Sequence, residues 1–255
     1  EPVHSRVLSK DAPVAIDAPA NVQNAPPPPE KPMVQVDKLA DGVWYFNAAG
    51  ARSWAVEFKD YVVAVEGITG EARSLAVNEA IAQTIPNKPI KYVVNTHAHY
   101  DHAGGLRTYV AQGITVITQE TNKPFFEQAW ARPRTIAPDL LAKEPKPPMF
   151  ETVADKKVIT DGNQTLEIYR MQNSGHNGAN MLVYHPKAGL LFWGDGYNPP
   201  VGDDPHDYGR TPEYGIDLYR NIVALNLNVK TIAPAHGAGA KPLDNLKIAI
   251  GMLDK

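Results

Sequence analysis

The chain has 255 residues, 43% of them hydrophobic, which fits one large domain or two small ones with a substantial core. Its net charge of −3, with no basic stripe or run, gives no footing for nucleic acid or an anionic membrane surface as a partner. With no cysteine, disulfides and thiolate metal sites are excluded, so any metal must be held by His, Asp or Glu.

Residues 1–32 differ from the rest. Pro13, Pro19, the run Pro26 to Pro29 and Pro32 favour polyproline II and cannot enter a ladder or a helix interior. This stretch reads as a semi-rigid linker or the tail of an upstream domain, and residues 33–255 read as the folded domain. A motif for a proline-binding partner is the lesser alternative. The chain starts at Glu1 without a signal peptide, which reads as a processed protein or a piece of a longer one. No apolar stretch reaches the length of a membrane span.

From Met33 onward, Val43 to Asn47, Ser53 to Phe58 and Tyr61 to Val65 are expected strands, with a turn at Ala49-Gly50. Ala72 to Thr84 is an expected amphipathic helix with Leu75, Ile81 and Ile85 on its apolar face. Ile90 to Val94 is a strand, Leu106 to Ala111 a helix, Ile114 to Ile117 a strand and Thr121 to Trp130 a helix. Residues 131–150 hold five prolines and read as an irregular segment, either a lid or a plain surface excursion. Lys157 to Thr160, Thr165 to Met171, Met181 to His185 and Leu190 to Trp193 follow as strands. Pro212 to Asn226 is a helix, Thr231 to Ala233 a short strand and Leu243 to Leu253 a final helix. Two similar halves of strands and helices point to an α/β layered domain with a sheet from each half packed face to face.

One stretch organises this chain: Asn95-Thr96-His97-Ala98-His99-Tyr100-Asp101-His102-Ala103-Gly104-Gly105. Of only 8 histidines, three fall between positions 97 and 102. A loop that merely happens to hold histidines is a poor account of that concentration. His97 and His99 are two apart, so an extended backbone points both to one side. Asp101 and His102 follow as the chain turns, which suggests two metal positions rather than one. Imidazole beside carboxylate suits zinc. Three further candidates sit just past strand ends: His176 in Ser174-Gly175-His176-Asn177, Asp195 in Gly194-Asp195-Gly196 and His236 in Ala235-His236-Gly237. Glycines there let loops approach closely and aim side chains at a common point.

Taken together, these residues resemble the ligand series of the metallo-β-lactamase superfamily: His-x-His-x-Asp-His, then His, then Asp, then His. The resemblance covers about residues 33–255 and all seven ligand positions. It implies a four-layer αβ/βα sandwich with the metal site at one edge of the two sheets. By that resemblance His97, His99 and His176 hold one metal, Asp101, His102 and His236 a second, and Asp195 bridges them. Two zinc ions are implied, with iron or manganese as alternatives; His99 stands where diiron relatives place a carboxylate. His4, His185 and His206 are read as non-ligands. Relatives often carry Asp at the end of the third strand as an outer partner of a ligand; Glu66 occupies that place here, longer by one methylene.

The implied reaction is attack of a metal-bridging hydroxide on a carbonyl, since metal lowers the pKa of bound water to about 7. Asp101 would orient the nucleophile and shuttle its proton. Tyr197 is a candidate oxyanion donor or substrate contact. Tyr208, Arg210 and Tyr214 read as packing and surface residues, with pocket lining as the alternative. A bridging Asp195 resembles the lactonases, thioester hydrolases and phosphodiesterases of the superfamily, whereas true zinc β-lactamases usually carry Cys or Ser there. The expected activity is therefore hydrolysis of a small ester or lactone, with a β-lactam as a secondary substrate. A true metallo-β-lactamase, a mononuclear iron persulfide oxygenase and a non-catalytic metal-binding module are the other readings. A periplasmic or secreted location is expected from the start of the chain and from the habit of such relatives.

Overall fold

A computed structural model describes residues 31–200 and 212–253. The proline-rich calls on residues 1–30 lie outside the described residues, as do His4, His206, Tyr208 and Arg210. Seven strands form the first sheet in chain order: β1 (Val34–Ala40), β2 (Val43–Ala48), β3 (Ala51–Glu57), β4 (Val62–Val65), β5 (Ile90–Val94), β6 (Thr115–Gln119) and β7 (Phe150–Val153). Pairing is antiparallel up to β4 and parallel from β4 to β7. The parallel part needs crossovers. They are supplied by helices α1 (Glu71–Thr84), α2 (Tyr100–Ala103), α3 (Leu106–Ala111), α4 (Asn122–Trp130) and α5 (Leu140–Lys143).

The second sheet holds β8 (Lys156–Thr160), β9 (Thr165–Arg170), β10 (Met181–His185), β11 (Leu190–Phe192), β12 (Thr231–Ile232) and β13 (Lys241–Pro242). Its order is β13-β12-β11-β10-β9-β8, parallel only between β11 and β12. Helices α6 (Pro212–Ala224) and α7 (Leu243–Ala249) complete the chain. No helix among the described residues is long and apolar enough to cross a membrane.

The continuous apolar runs in the strands are explained by the layering. Side chains alternate across a strand, and here both faces are covered. In β4, Val63 and Val65 join the core between the sheets, while Val62 and Ala64 face the first helical layer. In β10, Met181 and Val183 face inward, while Leu182 and Tyr184 meet Leu218 and Leu246 of the second helical layer. The result is the four-layer αβ/βα sandwich.

Three strands depart from expectation. β1 is missed because most of its residues are at least partly exposed, so no apolar alternation marks it. β7 opens one residue after the Pro147-Pro148 pair, and β13 has two residues, one of them Pro242. With β1 in place, the strand ending at Glu66 is the fourth, not the third. The segment 131–150 holds one helical turn, α5, begun by the Asp139 carboxylate accepting from the Ala142 N–H at 2.9 Å. Helix α1 also differs. Leu75 is only half-buried, while Arg73, Ser74 and Asn78 are buried beside Ala76, Val77 and Ile81. The guanidinium of Arg73 donates to the carbonyls of Ala48 and Ala51 at 3.0 and 2.7 Å, closing the β2–β3 hairpin from below. Burial lowers its pKa to about 10.

His185 ends β10 and is buried. The Ala188 N–H donates to Nδ1 at 3.3 Å, which leaves Nε2–H to donate to Gln164 Oε1 at 2.8 Å. Burial, with Lys187 adding, holds its pKa below the ordinary histidine value. Above about pH 6.5, the unperturbed value, this histidine is neutral folded and unfolded. As pH falls below that, the unfolded chain takes up a proton that the folded chain refuses, so stability drops toward the folded pKa. His185→Gln is therefore expected to flatten the pH dependence. The gap between urea midpoints at about pH 7.5 and about pH 5.5 should shrink relative to the parent chain.

Candidate metal centre

Strands β4 and β5 of the first sheet, and β9, β11 and β12 of the second, all run toward one edge of the sandwich. The two sheets are tied there by backbone bonds, Met181 N–H to Thr96 C=O at 2.8 Å and Arg52 N–H to Ala235 C=O at 2.8 Å. Loops leaving those strand ends carry every candidate ligand. His97 and His99 follow β5, Asp101 and His102 ride on α2, and His176, Asp195 and His236 follow β9, β11 and β12.

The seven residues converge in two groups. In each, one ligand atom per residue lies within 4.8 Å of the others: His97, His99, His176 and Asp195 in one, Asp101, His102, His236 and Asp195 in the other. Asp195 belongs to both. Its Oδ2 lies 2.9 Å from His176 Nε2, 3.2 Å from His102 Nε2 and 3.4 Å from His97 Nε2. Its Oδ1 lies 3.4 Å from His236 Nε2. Asp101 Oδ2 stands 3.3 Å from His102 Nε2 and 3.4 Å from His236 Nε2, with its side chain 43% exposed. His97, His102 and Asp195 are buried, whereas His99 is exposed.

This donor set fits a borderline dication. It offers imidazole and carboxylate without thiolate, matching a chain with no cysteine. His176 Nε2 faces His97 Nε2 at 3.2 Å, and His236 Nε2 faces His102 Nε2 at 3.1 Å. Two neutral ring nitrogens with lone pairs facing each other satisfy neither; a shared cation satisfies both. The electrostatics agree. Burial works against a charge on His102, yet the carboxylates of Glu66, Asp101 and Asp195 outweigh it and hold the ring well above the ordinary value. Any positive charge placed there feels the same pull. For Asp195, burial pushes the carboxyl up, but His102, His176 and His97 bring it far below the usual carboxylate range. For Asp101 the hydrogen bond from His102 does the same. Both stay anionic, as ligands must.

A second set of groups aims the first. Glu66 is buried at the end of β4, on a backbone with φ +76°. Its Oε2 accepts from His102 Nδ1 at 2.8 Å, leaving Nε2 for the centre, and its Oε1 accepts from the Thr96 N–H at 2.7 Å. Thr96 Oγ1 lies 3.1 Å from His97 Nδ1 and holds that ring in orientation. Asn95 Nδ2 donates to the carbonyls of His97 and His102, at 2.7 and 3.2 Å, and braces the loop. Ser53 Oγ donates to the Glu66 carbonyl at 3.2 Å and accepts from Arg73 at the same distance. The His176 loop is held by the Gly175 N–H donating to Asp217 Oδ2 at 3.0 Å, and Tyr214 packs edge-on against His176. Gly194 has no substitute: a Cβ there would stand 2.8 Å from the His102 ring.

Sequence reading identified Glu66 but assigned no role to Asn95, Thr96, Ser53, Arg73 or Asp217. The available signal was their polarity in otherwise apolar strand ends and helix faces. Tyr197 sits in the core between the second sheet and its helices, with Trp193 and Leu218. His185, read as a non-ligand, is spent on Gln164 as described above.

A family model described as the metallo-beta-lactamase superfamily matches residues 54–236. A metallo-beta-lactamase type 2 from Elizabethkingia meningoseptica is 25% identical over 175 residues, covering 65% of this chain and 63% of that protein. The beta subunit of a 2,4-dinitroanisole O-demethylase from a Nocardioides species is 31% identical over 94 residues, 36% of this chain and 29% of its own length. The matches thus span less than two thirds of either curated relative. Among solved structures, a metallo-beta-lactamase from Pontibacter korlensis superposes with a TM-score of 0.63 at 22% identity, covering 86% of this chain and 98% of the other. That likeness speaks for the fold.

Proposed function

The chain belongs to the metallo-β-lactamase superfamily, and from that premise we propose that it is a dinuclear zinc hydrolase opening the carbonyl of a small ester or lactone. The observation that carries the proposal is the reach of Asp195. One buried carboxylate stands within 3.4 Å of imidazole nitrogens from both groups, as a ligand shared by two metals requires. In this reading His97, His99 and His176 hold one ion, Asp101, His102 and His236 the other, and Asp195 both. Metal bound there would acidify a water to a nucleophile near neutral pH and polarise the carbonyl under attack.

The chain's own groups supply the rest. Glu66 locks the tautomer of His102, and the Thr96 hydroxyl holds the His97 ring in place, so their Nε2 atoms point inward without reorganisation during turnover. Asp101 is the half-exposed carboxylate of the set, and in this reading it receives a proton from water and delivers it to the departing oxygen. The balance is simple: the acyl–oxygen bond breaks, water's hydroxyl stays on the acyl carbon and its proton goes to the leaving alcohol. No serine or cysteine nucleophile is required.

Turnover of a β-lactam is the second reading, favoured by the curated β-lactamase relative at 25% identity. One experiment addresses both. Protein purified without added metal is assayed for zinc and iron, then given a simple lactone and a chromogenic cephalosporin. About two zinc ions per chain and chelator-sensitive hydrolysis are expected, with the lactone the faster substrate. A faster cephalosporin would favour the second reading. One iron per chain, or metal without hydrolysis, would overturn the hydrolase.

A further inference from the structure

Beside the exposed ring of His99 lies a cleft of about 350 Å³, within the ~300–1,000 Å³ range of small-molecule sites. Its walls are aromatic. Tyr100 and Phe125 stand 69% and 52% exposed, whereas Phe126 beneath is buried. Phe126 stacks on Trp130 at 4.9 Å, and Trp130 on Phe150 at 5.5 Å, so the apolar wall is backed by a packed ring cluster rather than by a mobile loop. Exposed large aromatics around a cavity mark a surface that apolar ligand atoms would cover.

The cleft also contains a cation. Arg107 grips Asp139 with two bonds, Nε at 2.5 Å and Nη2 at 2.8 Å, and donates from Nη1 to the Trp130 carbonyl at 3.2 Å. Arg107 is thereby spent. Arg134 reaches the same carboxylate from outside, Nη1 at 3.3 Å, with its side chain 45% exposed. One carboxylate shared by two guanidinium groups leaves a unit of positive charge, and Arg134 is the partner that presents it to solvent and to the cleft. The chain as a whole carries −3, so this cationic corner is local.

We propose that this cleft binds the acyl portion of the substrate, and that the preferred substrates are esters or lactones whose acyl group carries an apolar ring or branch and ends in an anion received by Arg134. The proposal rests on the hydrolase reading above and narrows its substrate class. An apolar acyl group would lie on Phe125 and Tyr100, its carbonyl would stand at the metal end beside His99, and its anionic end would pair with Arg134.

The test uses two phenyl esters of equal size, of para-carboxyphenylacetic and para-methylphenylacetic acid, with the zinc-loaded full chain. A kcat/KM preference of about tenfold for the carboxylated ester is expected, the scale of one charge-assisted contact. Arg134→Ala should bring that ratio near one, acting through KM, while Arg134→Lys keeps most of it. Phe125→Ala should raise KM for both esters. No preference in the parent chain, or a preference that survives Arg134→Ala, overturns the proposal. If the parent chain hydrolyses neither ester, the hydrolase reading is decided by the lactone and cephalosporin assay, and the cleft by binding alone. Calorimetric titration with benzenesulfonate, an aryl anion that ligates metals poorly, should give saturable binding weakened about tenfold in Arg134→Ala. Absent binding, or equal binding in both proteins, overturns it.

Discussion

Asp195→Ala is expected to lower kcat/KM for lactone hydrolysis by about a thousandfold, since a catalytic metal supplies several kcal/mol of transition-state stabilisation. The same variant should carry clearly less zinc than the parent chain after dialysis. The reason is geometric: every other ligand serves one group, whereas the Asp195 carboxylate lies against His97, His102, His176 and His236. Removing it takes a carboxylate from both groups at once and leaves imidazole nitrogens 3.1 and 3.2 Å apart with their common anion gone. Asp101→Asn is the informative comparison. Among the described residues the Asp101 carboxylate lies against His102 and His236, both of one group, and it is partly open to solvent. That variant should retain one tightly held metal while losing most turnover. Elemental analysis beside kinetics separates the two, and circular dichroism checks that the fold survives. An Asp195→Ala protein with undiminished zinc and rate would refute a shared ligand.

The parts of this site legible in sequence were those written locally. His97 and His99 could be paired because an extended backbone places residues two apart on one side, and β5 does end at Val94. His176, Asp195 and His236 were legible only as glycine-flanked residues past strand ends, and the superfamily resemblance was needed to join them. The layered α/β fold followed from two similar halves of strands and helices, and its four-layer form came with the superfamily resemblance. What stayed hidden is tertiary. Strand β1 carries too little buried surface to betray itself. Arg73 sits on a helix whose polar residues looked like a solvent face, yet it is buried because the β2–β3 hairpin leaves two carbonyls needing donors. The Arg107–Asp139–Arg134 group joins residues 32 and 5 positions apart, a pairing with no local signature. Phe125 lies in a stretch legible only as a helix, and nothing local marks it as the wall of a cleft.

Glu66 offers the second large effect. Glu66→Gln is expected to weaken zinc binding about 10- to 100-fold and to lower activity in parallel, the usual cost of losing an outer-shell partner of a metal ligand. The glutamate is doubly engaged, accepting from His102 Nδ1 with one oxygen and from the Thr96 N–H with the other. An amide can accept with one end only. Whichever way it turns, its NH2 faces a donor, so either the His102 tautomer or the ligand loop loses its anchor. The side-chain length is also matched to the backbone. Glu66 adopts φ +76°, a conformation costing about 1–3 kcal/mol for a residue with a Cβ. It is held there by the Glu66 N–H bond to the Val94 carbonyl at 2.8 Å and by Ser53. From that backbone, Glu66→Asp retracts the carboxylate by one carbon–carbon bond, about 1.5 Å, and breaks both contacts unless the strand end moves. The aspartate variant should therefore not behave as a conservative change, and chelator-competition titrations should place its zinc affinity below that of the parent. Parent-like affinity in both variants would mean that His102 is oriented by packing alone, leaving Glu66 as a buried anion with no part in the centre.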